Sequence, residues 1–289
     1  MFSVLDMFTI GVGPSSSHTV GPMCAAQAFA SSLEESGAVS RVGRIRVVLY
    51  GSLSLTGLGH GTDRAILAGL EGNVPATVDT DYLLSVRERC AHDGTIHVNG
   101  TNAIAYDDDG DMVFDRWKRL APHPNGMRFQ AFDAQGNIID EQVWYSIGGG
   151  FIRRGRIDDA LISNHEQTPA SSQSPEDSGN DEAAEYGDGV PYPFVSCDGL
   201  IDLCRKHHLS IADVVWANET ARRSPQEVRD RLTRIWNVMS HCIDAGCASA
   251  TPTLPGGLDV PRRAPLMYRR LAANSDCLLY TSPSPRDGA

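Results

Sequence analysis

The sequence predicts an α+β protein: an N-terminal mixed, largely antiparallel sheet with helices, then the start of an all-helical domain. Three observations carry this. Apolar residues alternate with period two through most of residues 95–152, between glycine, asparagine and aspartate turns. A Ser-, Pro- and Gly-rich acidic stretch interrupts the pattern at 157–192. Beyond it the apolar period becomes helical.

The elements follow in order. Residues 44–50 (RIRVVLY) read as a β-branched strand beside a glycine. GTDRAILAGLEG, 61–72, reads as a helix with Thr62 as N-cap and Ile66, Leu67 and Leu70 on one face. TIHVNG, NAIAYDD, DMVFDRW and the long run 126–149 read as strands, and DAQGN at 133–137 as a hairpin turn. The stretch 157–192 lacks the apolar area to offset the entropy of ordering and reads as a mobile linker. Ser210 and Asp213 fit a capping box, and Ser224-Pro225-Gln226-Glu227 a stronger helix start. The helix after it carries Val228, Leu232, Ile235, Trp236, Met239 and Ile243 in one stripe, with Gly246 as its stop. A last helix, PLMYRRLAANS, then begins. The expected organisation is a β domain at 1–156, the acidic linker at 157–192, the beginning of a helical domain at 193–276, and a tail at 277–289 that looks non-native.

Composition narrows the function classes. The 289 residues are 41% hydrophobic and 21% charged, as in soluble globular proteins. No apolar run suits a membrane helix and no basic leader opens the chain, so the cytoplasm is the expected location. A net charge of −11 argues against a nucleic-acid partner. The acidity is local, with nine Asp/Glu and no Lys/Arg between Ile157 and Gly189. Seven cysteines without a CxxC read as reduced thiols rather than as a disulfide framework or metal signature.

Three polar segments stand out. MFTIGVGPSSSHTVGPM, 7–23, sets Ser15, Ser16, Ser17, His18 and Thr19 among glycines and prolines. Gly11, Gly13 and Pro14 keep residues 11–17 out of a helix, so the serines are expected at or before a helix N-terminus, where free N–H groups suit a carboxylate or phosphate. GSLSLTGLGHGTD, 51–63, follows the first strand as a glycine-framed loop with His60 between two glycines. APHPNGMRF, 121–129, holds His123 and Asn125 between prolines and a glycine. A lone loop histidine is usually just exposed, and a serine run is often only a cap. Three such histidines in one domain are better explained by a polar site.

Together with YSIGGGFI and PGGLDVPRRA, these segments resemble, in the same order, the bacterial iron–sulfur L-serine dehydratases (L-serine ammonia-lyases) of the single-chain type. The resemblance covers roughly residues 2–276. It implies an N-terminal domain similar to the allosteric substrate-binding domain of some phosphoglycerate dehydrogenases, followed by a helical domain. The implied reaction turns L-serine into pyruvate and ammonia in amino-acid catabolism and gluconeogenesis, with a [4Fe–4S] cluster assisting departure of the hydroxyl. His18 and His60 match the family's polar histidines, one as acid–base group and the other as orienter, in either assignment. Ser15, Ser16, Ser17 and Thr19 would bind the substrate carboxylate or ammonium, with His123 and Asn125 as further contacts. L-serine is the implied partner, and a homodimer is compatible with the family. None of the seven cysteines matches the family's cluster ligands, which the resemblance places beyond residue 289. No metal ligand is therefore expected here, and the chain alone is expected to be inactive. Two other readings compete: an amino-acid-binding regulatory module without catalysis, and a metal hydrolase using His18, His60 and His123. The latter lacks an acidic residue at ligand spacing.

Overall fold

In the computed structural model, which describes residues 3–164, 189–254 and 260–273, the strand expected at 44–50 forms over Arg44–Tyr50 (β1). Short strands follow at Thr95–Val98 (β2), Asn102–Ala105 (β3), Met112–Asp115 (β4) and Lys118–Leu120 (β5). Longer ones form at Gly126–Phe132 (β6) and Ile138–Gly148 (β7), then Phe151–Arg154 (β8) and Leu161–Ser163 (β9). The main sheet runs β2-β3-β1-β6-β7-β8, with β4 also pairing β1. β1 pairs antiparallel with β6, from Arg44↔Phe132 to Leu49↔Met127, and parallel with β3 and β4. The sheet is thus mixed and largely antiparallel, as the period-two pattern predicts. Gly136 takes the expected positive φ, +85°, and the Asp133 carboxylate accepts from the Gln135 and Asn137 N–H groups to close the hairpin.

Helices Gly21–Glu35 (α1), Gly51–Thr56 (α2), Thr62–Leu70 (α3) and Thr80–Asp93 (α4) accompany the sheet. Ile45, Val47 and Leu49 of β1 share a buried cluster with Met127, Phe129 and Ala131 of β6, and with Phe29 and Leu33 of α1. The Phe29 and Phe129 rings stack at 5.2 Å. Truncating Phe29 there would cost about 3–5 kcal/mol. α1 and α3 touch closely at Gly69, where a Cβ would stand 2.4 Å from the Met23 carbonyl oxygen. These contacts pack α1 on the sheet and the end of α3 against the start of α1.

Three local expectations are corrected. Residues 51–60 are not a loop: Gly51 turns the chain at φ +57°, and α2 and a single 3₁₀ turn, Leu58–His60, follow. Gly57 carries a helical φ of −60° and so does not interrupt them. Thr62 is not the N-cap of α3, because Gly61 occupies that position in the left-handed region at φ +64°. The first residues expected in the linker also belong to the sheet unit. β9 pairs with β5, and the Asp159 carboxylate accepts from the Tyr145 hydroxyl at 2.6 Å. The remainder of that segment, 165–188, lies outside the described residues, as do Cys277 and the tail at 277–289.

The chain divides into two compact units, Thr9–Ser174 and Met1–Phe8 with Pro175–Ala289. The second contains helices Cys197–His207 (α5), Ile211–Thr220 (α6), Pro225–Ala248 (α7) and Ala264–Ala273 (α8). The Ser210–Asp213 capping box forms in full, and Ser224 caps α7 by accepting from the Glu227 N–H. α7 runs through Gly246 to Ala248, since a glycine in helical φ costs about 1 kcal/mol without ending the helix. Of its apolar stripe Val228 is buried, while Leu232, Trp236, Met239 and Ile243 are exposed. Among the described residues no helix is long and apolar enough to cross a membrane.

Candidate active site

Pro14 follows Gly13 through a cis peptide bond, and the chain then enters one wide helical turn, Ser16–Val20, that runs into α1. Ser15 caps this turn. Its hydroxyl accepts from the His18 N–H at 3.2 Å, and its carbonyl accepts from the Thr19 N–H at 2.9 Å. Ser16, Ser17, His18 and Thr19 therefore lie inside the first turn. Ser16 is exposed, and Ser17 Oγ lies 2.9 Å from His18 Nδ1.

The second segment meets the first directly. At the end of β1, Gly51 brings the backbone against the 123–125 loop: a Cβ there would stand 2.3 Å from the Pro124 carbonyl oxygen. That oxygen accepts from the Ser52 N–H at 2.9 Å. Ser52 Oγ then lies 3.1 Å from His18 Nε2, so both ring nitrogens of His18 face hydroxyls. His60 Nδ1 lies 2.9 Å from the Thr56 carbonyl oxygen. A carbonyl can only accept, so Nδ1 carries the proton and Nε2 of the neutral ring keeps its lone pair. The His18 and His60 ring centroids are 4.9 Å apart at 41°. Thr19 Oγ1 donates to the His60 carbonyl at 2.8 Å, and Thr62 Oγ1 donates to the His18 carbonyl at 2.5 Å. Both threonines are buried, at 1% and 0% exposure.

The third segment joins through Pro124 and Ser146. His123 Nδ1 accepts from the Asn125 N–H at 3.1 Å. The Asn125 side chain donates to the Ser146 carbonyl at 3.2 Å, and the Asn125 carbonyl accepts from the Ser146 N–H at 3.0 Å. Ser146 in turn packs on the start of α1, where a Cβ at Gly21 would stand 2.1 Å from Ser146 Oγ. Its hydroxyl is buried with no hydrogen-bond partner among the described residues. Gly150 supports the same corner, with φ +86° and space for Val20 against it.

Burial holds the His18 pKa below the ordinary 6.5; the neighbouring His60 adds to this, and a hydrogen bond to the Ser52 backbone opposes it. Burial, then the Arg153 charge, does the same for His123. Both rings are therefore neutral at neutral pH. A neutral His18 between two hydroxyls is satisfied in either tautomer, so it can pass a proton from one nitrogen to the other. His60, oriented by a backbone carbonyl, presents a free acceptor nitrogen beside it. The arrangement suits proton transfer on a small polar molecule. Ser52, Thr62 and Ser146 go unrecognised in the sequence, although each lies inside a segment singled out there. The one available signal was their place beside glycines that bring backbone close.

A bound metal or cluster needs converging ligands. Among the described residues no three His, Cys, Asp or Glu side chains come together to provide them. Cys24 and Cys90 are held above the ordinary thiol pKa by burial, Cys90 at about 11, which disfavours the ligating thiolate. These residues do not fit a [4Fe–4S] cluster.

The family model described as serine dehydratase beta chain matches residues 3–156. An L-serine dehydratase of Streptomyces coelicolor is 41% identical over 274 residues, covering 95% of this chain and 56% of its own length. L-serine dehydratase 1 of Escherichia coli is 39% identical over 282 residues, covering 96% and 56%. That of Helicobacter pylori is 35% identical over 270 residues, covering 93% and 54%. The chain thus spans little more than half the length of these relatives. With the family model matching more than half of the chain, the chain belongs to the serine dehydratase beta chain family.

Proposed function

We propose that this chain carries the proton-transfer half of an L-serine ammonia-lyase, a cytoplasmic enzyme of amino-acid catabolism. Its substrate L-serine loses the α-proton and the β-hydroxyl as water. The resulting aminoacrylate becomes an imine, whose hydrolysis yields pyruvate and ammonia. The single observation that supports the reading best is the adjacent, tilted imidazole pair, with His60 Nδ1 committed to the Thr56 carbonyl. His60 Nε2 is then the base that takes the α-proton, and His18, between Ser17 and Ser52, orients it and relays protons. Ser16 and Ser17 meet the substrate's charged end at the start of α1. Ser15 and Thr19, whose side chains are engaged inside the turn, hold it in shape. His123 and Asn125 are outlying contacts.

The iron–sulfur cofactor that the resemblance implies has no matching ligand set among the described residues. Only the proton steps are therefore derived for this chain. The test is steady-state formation of pyruvate from L-serine by the whole enzyme carrying these residues. His60→Ala and His18→Ala should each lower turnover roughly 100-fold or more, the scale of a lost acid–base group. Near-normal turnover in both would sink the reading. Serine binding without turnover in the unmodified enzyme would favour a regulatory amino-acid-binding module.

A further inference from the structure

We propose that Thr19 and Thr62 are positioning residues that form a reciprocal latch, each threonine hydroxyl holding the carbonyl of the other segment's histidine. The inference rests on reading His18 and His60 as the proton-transfer pair. It adds how two segments 41 to 44 residues apart hold their rings side by side.

The need for such a latch follows from the backbone. In the α register the donor for the His18 carbonyl would be the N–H of residue 22, and Pro22 has none; the turn itself is wider, closing through i→i+5 bonds such as Gly21 N–H to the Ser16 carbonyl. The His60 carbonyl lies before the left-handed Gly61, outside α3, and so has no place in that helix's ladder. The His60 carbonyl is thus outside its helix's ladder, and the His18 carbonyl lacks the α-register donor. A buried carbonyl without a donor is costly, and a buried threonine hydroxyl equally needs a partner. The two deficits cancel crosswise: Thr62 Oγ1 reaches the His18 carbonyl at 2.5 Å, and Thr19 Oγ1 the His60 carbonyl at 2.8 Å. Thr19 Oγ1 also accepts from the Ser15 N–H at 3.2 Å, so the latch closes back on the serine turn. Gly61 serves the same end. By taking the N-cap position of α3 it leaves the Thr62 hydroxyl uncommitted to that helix.

The latch predicts a spectroscopic signature in the full chain, independent of turnover. Ring-to-ring proton cross-relaxation between His18 and His60 should be visible by NMR at the 4.9 Å centroid spacing. Long-range nitrogen–proton spectra should show the Nδ1–H tautomer of His60. Thr62→Val, which keeps shape and loses the hydroxyl, should abolish the ring-to-ring signal, while Thr62→Ser should retain it. Pro22→Ala combined with Thr62→Val should restore folding lost in the single variant, because residue 22 then supplies the N–H, yet leave the ring-to-ring signal absent. An unchanged signal in folded Thr62→Val would overturn the latch, and so would a double variant no more stable than the single one. Loss of the signal together with full turnover in His60→Ala would keep the latch and reject the catalytic reading instead.

Discussion

Burial is the leading cause of the low pKa of both His18 and His123, and this has a consequence for stability. A histidine whose folded pKa lies below its unfolded value near 6.5 binds fewer protons when folded. Its contribution is therefore fully present above that value and lost as pH falls through the folded one. Urea midpoints should drop as the pH falls below the ordinary histidine value of 6.5, and the drop should be shallower in His18→Asn. An identical slope in that variant would show that His18 is not desolvated as described. Glu71 and Asp108, whose pKa values are also lowered, act in the same direction at more acid pH. At this scale the sequence displayed the titratable groups but not their partners. His18 and His60 stood out because glycines and serines framed them. Ser52 and Thr62 did not, because their partner, His18, lies 34 and 44 residues away and only the folded chain brings it near.

Elements were legible where their causes are local. The Ser210 and Ser224 caps act over three residues, and the 133–137 hairpin over five, so both could be read directly. The helical turns at 51–60 were hidden, because three glycines weigh against a helix and the Gly51 turn depends on Pro124 far along the chain. Ala217-Asn218-Glu219 likewise show their role only in three dimensions. Asn218 pairs with both backbone groups of Tyr192, at 2.9 and 2.8 Å. The Glu219 carboxylate accepts from the Ser3 hydroxyl and, at 2.8 Å, from the Val4 N–H and from Arg223. Ser3, Asn218 and Glu219 are all nearly buried. Glu219 thus anchors the N-terminal segment to α6, in the unit both belong to. Glu219→Ala should free that segment, and chymotrypsin should then cut faster after the exposed Phe8. Ser3→Ala, which leaves the ion pair with Arg223 in place, should give a smaller increase in the same direction. Equal cutting rates in folded wild type and both variants would show that Glu219 does not hold it.

At the scale of the whole molecule, the two compact units differ in how much core they own. The sheet unit buries Phe29, Leu33, Leu49, Ile66, Met127 and Phe129 in one continuous cluster, with further clusters beside it. In the helical unit the nearly buried apolar side chains among the described residues are Leu5, Val190, Val214 and Val228. Meanwhile Trp236 of α7 is 62% exposed and Met267 of α8 58%. Apolar burial at about 25 cal/mol per Å² is the main term opposing chain entropy, so a unit with so few buried side chains sits near its threshold. Its capped helix starts contribute about 1 kcal/mol each and cannot replace a core. Local opening free energies should therefore be small through α5–α8 and approach the global value in β1, β6 and α1. Urea should remove helical circular dichroism from residues after 189 first, with amide exchange there fast at concentrations that leave β1 and β6 protected. The expected result is two separated transitions, the first carrying the helical signal. A single transition, with exchange in α7 and β6 rising together, would mean that the helical unit draws on stability that its own contacts do not supply.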